Sequence, residues 1–300
     1  MRSSNNNNNN NEILQEIPVV VFVGKIGVGK TSIAKNLKRE IEKYHDNLNI
    51  SVLLEPVEEW KSINLLNNFY SDMKRFAYSF QQYAFASRLN AIKDVNIKET
   101  DLILSDGTIF MDKYCFAEML NESGFISDTE MEWYNSTFKH WQKLVPLAAP
   151  SLIVYLKLDN SNSVLKRISK RNRTEETNIS TDYLDKLQAK LEKMLTLPMF
   201  EGKVLVVDAS KSKEEITREI YMYLLCGGGT RVNHLSIVKQ IEQKKKLEEF
   251  SCFLDKNNKD SDNNNNTARV DFVIKSEHII FSLIVCVIFL FTFWIIFRYF

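Results

Sequence analysis

From Pro18 onward the chain alternates short, unbroken apolar runs with longer stretches whose apolar residues recur at helical spacing. "VVVFVG", Val19 to Gly24, predicts a buried strand. "KTSIAKNLKREIEKY", Lys30 to Tyr44, predicts an amphipathic helix, and "ISVLLEP", Ile50 to Pro56, a second strand. "MKRFAYSFQQYAFASRLNAIKDV", Met73 to Val95, predicts a long helix rich in aromatic residues. "DLILSDG", "SLIVYLKL" and "KVLVVDAS" predict strands three, four and five, with helical segments filling the gaps. Strands this apolar, without alternation, belong to a parallel sheet covered by helices on both faces. The pattern therefore predicts one α/β domain over residues 17–225, punctuated at its end by "CGGGT", residues 226–230.

The two ends stand outside that pattern. Residues 1–16 carry the tract Asn5 to Asn11, too polar to bury anything, and are expected to be a disordered tail. Residues 226–278 read as a polar helical spacer, "HLSIVKQIEQKKKLEEF", followed by the linker "NNKDSDNNNN". Residues 279–297, "IIFSLIVCVIFLFTFWIIF", hold about 19 positions without a charge, close to the length of helix that crosses a bilayer core. Only Arg298, Tyr299 and Phe300 follow, so the expectation is a single-pass C-terminal tail anchor that partners a lipid bilayer and leaves the preceding domain in the cytosol. The basic run Lys244 to Lys246 lies on that same side.

Composition narrows the function classes. A net charge of +1 over 300 residues gives no electrostatic signal for a nucleic-acid partner. Cys115, Cys226, Cys252 and Cys286 form no C-x-x-C pair and lie near no histidine cluster, which argues against a disulfide framework or a zinc site and for a reducing compartment.

"GKIGVGKT", Gly24 to Thr31, fits G-x-x-x-x-G-K-S/T between a strand and a helix. Gly24, Lys25, Ile26, Gly27, Val28, Gly29, Lys30, Thr31 and Ser32 are thereby candidates for holding ATP. The loop backbone curls round the phosphates, the helix start adds partial positive charge, Lys30 reaches the transferred group and Thr31 ligates Mg²⁺. No N-K-x-D guanine-reading motif is present, so an ATP-dependent phosphotransferase is favoured over a GTPase switch. The expected architecture is a P-loop kinase fold. Glu55 in "EPVEEW" follows the second strand, where a parallel sheet opens its ligand crevice. A carboxylate there suits the removal of a proton from an acceptor hydroxyl.

With "EPVEEW", "FAYSFQQYAFASR", "DKYCFA", "RISKRNRTEE" and "DYLDKL" following the phosphate loop in order, the sequence resembles the deoxynucleoside kinase family. The resemblance implies a deoxynucleoside acceptor, with Glu55 as general base for its 5′-hydroxyl and Trp60 walling the nucleoside pocket. It implies that Gln81 reads the base, that Arg88 pairs with Asp112 to sense the base edge, and that Phe116 stacks nearby. Tyr70 and Glu176 match the positions that hold the sugar 3′-hydroxyl. Arg171 and Arg173 match a lid closing over the phosphates, with Arg167 as a third cation. The Arg88–Asp112 pair goes with deoxycytidine or purine deoxynucleosides over thymidine, in nucleotide salvage. Members tend to form homodimers.

One departure stands out. The family has an acid followed by arginine after the third strand, and this chain has Asp106, the expected metal-site acid, followed by Gly107. An active kinase then draws the missing charge from Lys25, Arg167 or the lid. The alternatives are a membrane-anchored nucleotide-binding protein with little catalysis, and a nucleoside-monophosphate kinase, against which "EPVEEW" and "FQQYA" speak.

Overall fold

The computed structural model describes residues 17–144, 150–171, 173, 176, 179–226, 237–238, 241–242 and 245–246. The chain divides into two units, residues 1–240 and 241–300. Of the second, 241–242 and 245–246 are described, and they are helical. The Asn-rich tail, the linker and the apolar stretch 279–297 lie outside the described residues, among which no helix is long and apolar enough to cross a membrane.

Five strands and nine helices, besides two 3₁₀ turns at Ile97–Glu99 and Pro198–Phe200, are defined among the described residues of the first unit up to Cys226. They run β1 Val19–Val23, α1 Lys30–Tyr44, β2 Ile50–Leu53, α2 Val57–Ser62, α3 Leu65–Ser71 and α4 Met73–Lys93. β3 Leu102–Asp106 follows, then α5, which begins as Ile109–Met111, widens into a π-helix over Asp112–Ala117 and returns to α geometry over Glu118–Glu122. The rest are α6 Asp128–Leu144, β4 Leu152–Lys157, α7 Ser161–Arg171, α8 Thr181–Leu195, β5 Val204–Asp208 and α9 Lys213–Cys226.

The sheet has the order β2-β3-β1-β4-β5 and every pairing is parallel. Parallel neighbours need crossover connections, which is why helices separate the strands in sequence. Burial follows position in the sheet. The inner strands β1, β3 and β4 are buried at nearly every residue, which explains their unbroken apolar runs. The edge strands β2 and β5 are only half buried, and Val206 on β5 is exposed. The register pairs Phe22 of β1 with Asp106 of β3, so the phosphate loop after β1 and the acid ending β3 emerge side by side. Glu55 leaves the sheet at the same edge, two residues beyond β2.

Candidate active site

At the donor end, α1 starts behind Gly29, which lies in the left-handed region and supplies no capping side chain, and no acid occupies the first turn. A helix start without such a cap leaves its first N–H groups for an anion. Lys30 Nζ donates to the carbonyls of Gly24 and Lys25, at 3.2 Å each. Thr31 Oγ1 donates to Asp106 Oδ2, while the buried Asp106 Oδ1 has no hydrogen-bond partner. Burial pushes the Asp106 carboxyl up, with Lys30 opposing and Glu55 adding to the rise. A buried, unpartnered carboxylate oxygen beside a threonine hydroxyl is the hard oxygen pair that Mg²⁺ takes, so these residues fit the ion.

The loop opens into a cavity of about 840 Å³. Ile26, Gly27, Val28, Gly29, Thr31 and Ser32 line it at one end, with Lys30 and Asp106. Glu55, Trp60, Tyr70, Gln81, Asp112, Phe116 and Glu176 line the other. Two members of the loop do not: Gly24 stays in the turn, and the Lys25 side chain is buried away from the cavity.

The acceptor end is an aromatic slot. Phe80 of α4 stacks on Phe69 of α3 with centroids 4.5 Å apart, and Trp60 of α2 meets Phe80 edge-on at 5.4 Å. These rings, with Tyr70 and Phe116, line the cavity and give its wall the chemistry on which a planar heterocycle packs. Trp60 Nε1 donates to Ser87 Oγ at 2.9 Å, and Ser87 donates to the Ala84 carbonyl at 3.1 Å, fixing the ring. Helical spacing puts Ala77, Gln81, Ala84 and Arg88 on one buried face of α4. Gln81 Oε1 is buried there without a partner, whereas Gln82 donates to Tyr78 at 3.0 Å.

Behind the slot, Arg88 joins three elements. Its Nε and Nη2 donate to Asp112 Oδ2 and Oδ1 at 2.8 and 3.2 Å, Nη2 also reaches Glu55 Oε1 at 3.0 Å, and Nη1 donates to the Asp106 carbonyl at 2.9 Å. Arg88 is 7% exposed and does not itself line the cavity, whereas Glu55 and Asp112, which it holds, do. Burial alone would push the Glu55 carboxyl up, but Arg88, Lys30 and Arg173 outweigh it and hold the group below the usual glutamate range. Burial raises the Asp112 carboxyl despite the pull of Arg88. Burial and the same two carboxylates act on Arg88, and the net result is a guanidinium that is held charged.

The space beside Gly107 is taken by this guanidinium. A Cβ on Gly107 would lie 3.2 Å from Arg88 Nη1 and 3.3 Å from Nη2. The cations the sequence offers in place of an arginine at that position part company. Arg171 and Arg173 line the cavity, and both donate to the buried Glu176 carboxylate, Arg173 at 3.1 Å. Arg167 lines it too, yet its terminal nitrogens are held by the Val28 and Ala209 carbonyls at 2.9 Å each. Lys25 is held elsewhere in the fold.

Sequence reasoning missed Tyr183, which lines the cavity from α8. Burial, then the neighbouring Tyr183 and Glu176, push the Tyr70 phenol up. The signal was there in "DYLDKL", without a role attached. It also missed Lys211, Ser212 and Lys213 at the donor end, and the π-helical turn that carries both Asp112 and Phe116 to the cavity. Such turns gather at functional sites.

A family model described as "Deoxynucleoside kinase" matches residues 20–223. The chain is 33% identical over 211 residues to the "Probable deoxycytidine kinase" of Fowlpox virus (strain NVSL), covering 67% of this chain and 86% of that one. It is 32% identical over 169 residues to the deoxyadenosine kinase of Dictyostelium discoideum, covering 56% of this chain and 62% of that one. Among solved structures, deoxyadenosine kinase from M. mycoides, with the products dCMP and a flexible dCDP bound, matches with a TM-score of 0.55 at 24% identity, over 69% of this chain and 97% of that one. At that identity the likeness shows the fold.

Proposed function

The chain belongs to the deoxynucleoside kinase family and is a deoxynucleoside kinase, and we propose that it moves the γ-phosphoryl group of ATP to the 5′-hydroxyl of deoxycytidine or a purine deoxynucleoside in preference to thymidine, in nucleotide salvage. The observation that carries this reading is the single guanidinium of Arg88 bonded to both Glu55 and Asp112. It couples the carboxylate suited to proton removal with the carboxylate suited to reading a base. Glu55, held ionised, takes the 5′-hydroxyl proton as the oxygen bonds to the γ-phosphorus and the bond to ADP breaks. Lys30, with Arg171 and Arg173, offsets the charge on the moving group. Mg²⁺, when held by Thr31 and Asp106, supplies further neutralisation of the phosphate oxygens.

Base choice follows from donor and acceptor chemistry. Asp112 accepts hydrogen bonds, so an exocyclic amino group suits it and the corresponding carbonyl of thymine meets its lone pairs. The relatives named for deoxycytidine and deoxyadenosine support this direction. Turnover of each deoxynucleoside by the purified protein, with Glu55→Gln as the control, tests it. Thymidine as the best substrate sinks the base assignment, and turnover that survives Glu55→Gln sinks the base role. A nucleoside monophosphate accepted in preference to the nucleoside would mark a different kinase class. The uncharged residues 279–297 extend the proposal to a bilayer-held kinase, which should be dropped if protein lacking them still fractionates with membranes.

A further inference from the structure

Lys25 stands inside the phosphate loop, yet its side chain is 2% exposed and points away from the cavity. Its Nζ donates to Ser161 Oγ at 2.7 Å and to the Asp159 carbonyl at 3.3 Å, and pairs with Asp185 Oδ1 at 3.7 Å. Ser161, the buried first residue of α7, itself donates to Asp185. One ammonium thus gathers the phosphate loop, the start of α7 and the exposed side of α8. A buried ammonium is tolerated only where such partners surround it.

The same loop meets α7 again near its other end. A Cβ on Gly27 would lie 2.5 Å from Ile168 Cγ1, so the bare backbone packs directly on the helix. Arg167 Nη1 donates to the Val28 carbonyl at 2.9 Å. Loop and helix are therefore fastened at Ser161 and at Arg167–Ile168, and α7 ends at the lid residue Arg171. These contacts couple the position of the loop to that of the helix.

We propose that Lys25 is a positioning residue for phosphoryl transfer, its buried ammonium locking the phosphate loop to the first turn of α7 so that the loop sets where Arg171 stands. The inference rests on the reading of this cavity as the kinase active site. Loss of the lock should misplace a transition-state charge while the aromatic rings on α2, α3 and α4 stay in place.

The experiment compares Lys25→Met, Lys25→Arg, Asp185→Asn and the Lys25→Met/Asp185→Asn pair in the full chain. Lys25→Met should lower kcat about tenfold and leave the deoxynucleoside KM within about twofold. Lys25→Arg should restore at least half of the loss. Asp185, whose side chain is 63% exposed, can hydrate when freed, so Asp185→Asn should fold and lower kcat about threefold, with no further loss in the pair. Amide exchange gives a readout independent of turnover. On adding adenylyl imidodiphosphate, α7 should gain protection together with α1 in the wild type, whereas Lys25→Met should keep the α1 gain and lose that of α7. An unchanged kcat, an equal loss in Lys25→Arg, or a retained α7 gain would overturn the proposal. If Lys25→Met does not fold, Ser161→Ala and Asp185→Asn decide by the same readouts. If the wild type phosphorylates no deoxynucleoside, the kinase reading fails while the exchange experiment still decides the lock.

Discussion

The two ends of the cavity are built on different principles. At the donor end, one contiguous loop supplies backbone, lysine and hydroxyl, and its groups remain available to a ligand: Lys30 donates to two loop carbonyls while acting on the nearby Asp106 and Glu55 carboxyls, and an oxygen of Asp106 has no partner. At the acceptor end, side chains from the segment after β2 and from α2, α3, α4 and α5 converge, and the cation is already compensated: four hydrogen bonds tie Arg88 to Asp112, Glu55 and a backbone carbonyl. A donor site binds a polyanion and needs a cation that can turn to it. An acceptor site binds a neutral nucleoside and needs carboxylates that a buried cation compensates and orients. Donor residues should therefore matter to rate with little effect on stability, and the acceptor hub should matter to both.

The largest effect expected is at that hub. Arg88→Met leaves Asp112 and Glu55 without their cation, and breaking a buried pair from one side costs about 3–5 kcal/mol. Denaturant unfolding should show that loss, with turnover abolished. A stability change under about 1 kcal/mol would mean the hub is not held by charge. Lys30→Met, in contrast, should lower kcat by about 10²–10³, the scale of one lost transition-state donor, with a midpoint of unfolding near that of the wild type. A kcat within about tenfold of wild type would break the distinction between the two ends.

A smaller effect joins them. Arg88, Lys30 and Arg173 together overcome burial to depress the Glu55 pKa, so the ionised base is present above that lowered value and lost only as pH falls through it. Glu55 itself should cause no loss of kcat/KM until pH falls below the usual glutamate range, the raised Asp106 and Asp112 carboxyls setting any limb above it. Arg173→Gln should move the Glu55 limb upward by less than about one unit. A Glu55 limb that moves down in Arg173→Gln would contradict its assignment as base.

The same contrast decides what was legible in the sequence. All five strands were readable because the inner ones are buried on both faces and show unbroken apolar runs, and the phosphate loop because its chemistry is local in sequence. The hub was only half legible. Arg88 lies 24 positions from Asp112 and 33 from Glu55, and the Arg88–Asp112 pair was available through resemblance, whereas the contact with Glu55 comes from the fold. Nor does the loop motif say which way its first variable residue points. Lys25 reads as a phosphate ligand, and only the approach of α7 and α8 shows its amine drawn away. The π-helical turn left no pattern, since one widened turn does not change the spacing of apolar residues enough to register.

Gly107 gives the smallest effect and tests the acceptor hub from its back. The sequence alone makes this glycine look like a missing arginine, and restoring the side chain looks like a gain in rate. The backbone argues the opposite. Gly107 has φ of +81°, where an L side chain is strained by roughly 1–2 kcal/mol, and its Cβ would press on the Arg88 guanidinium 3.2 Å away. Gly107→Arg should therefore lower stability by about 1–2 kcal/mol and fail to raise kcat. Gly107→Ala imposes the same strain without the charge, so the difference between the two variants isolates the electrostatic part. If Gly107→Arg turns over faster than both Gly107→Ala and the wild type, the site lacks a cation that Arg88 and the lid do not supply.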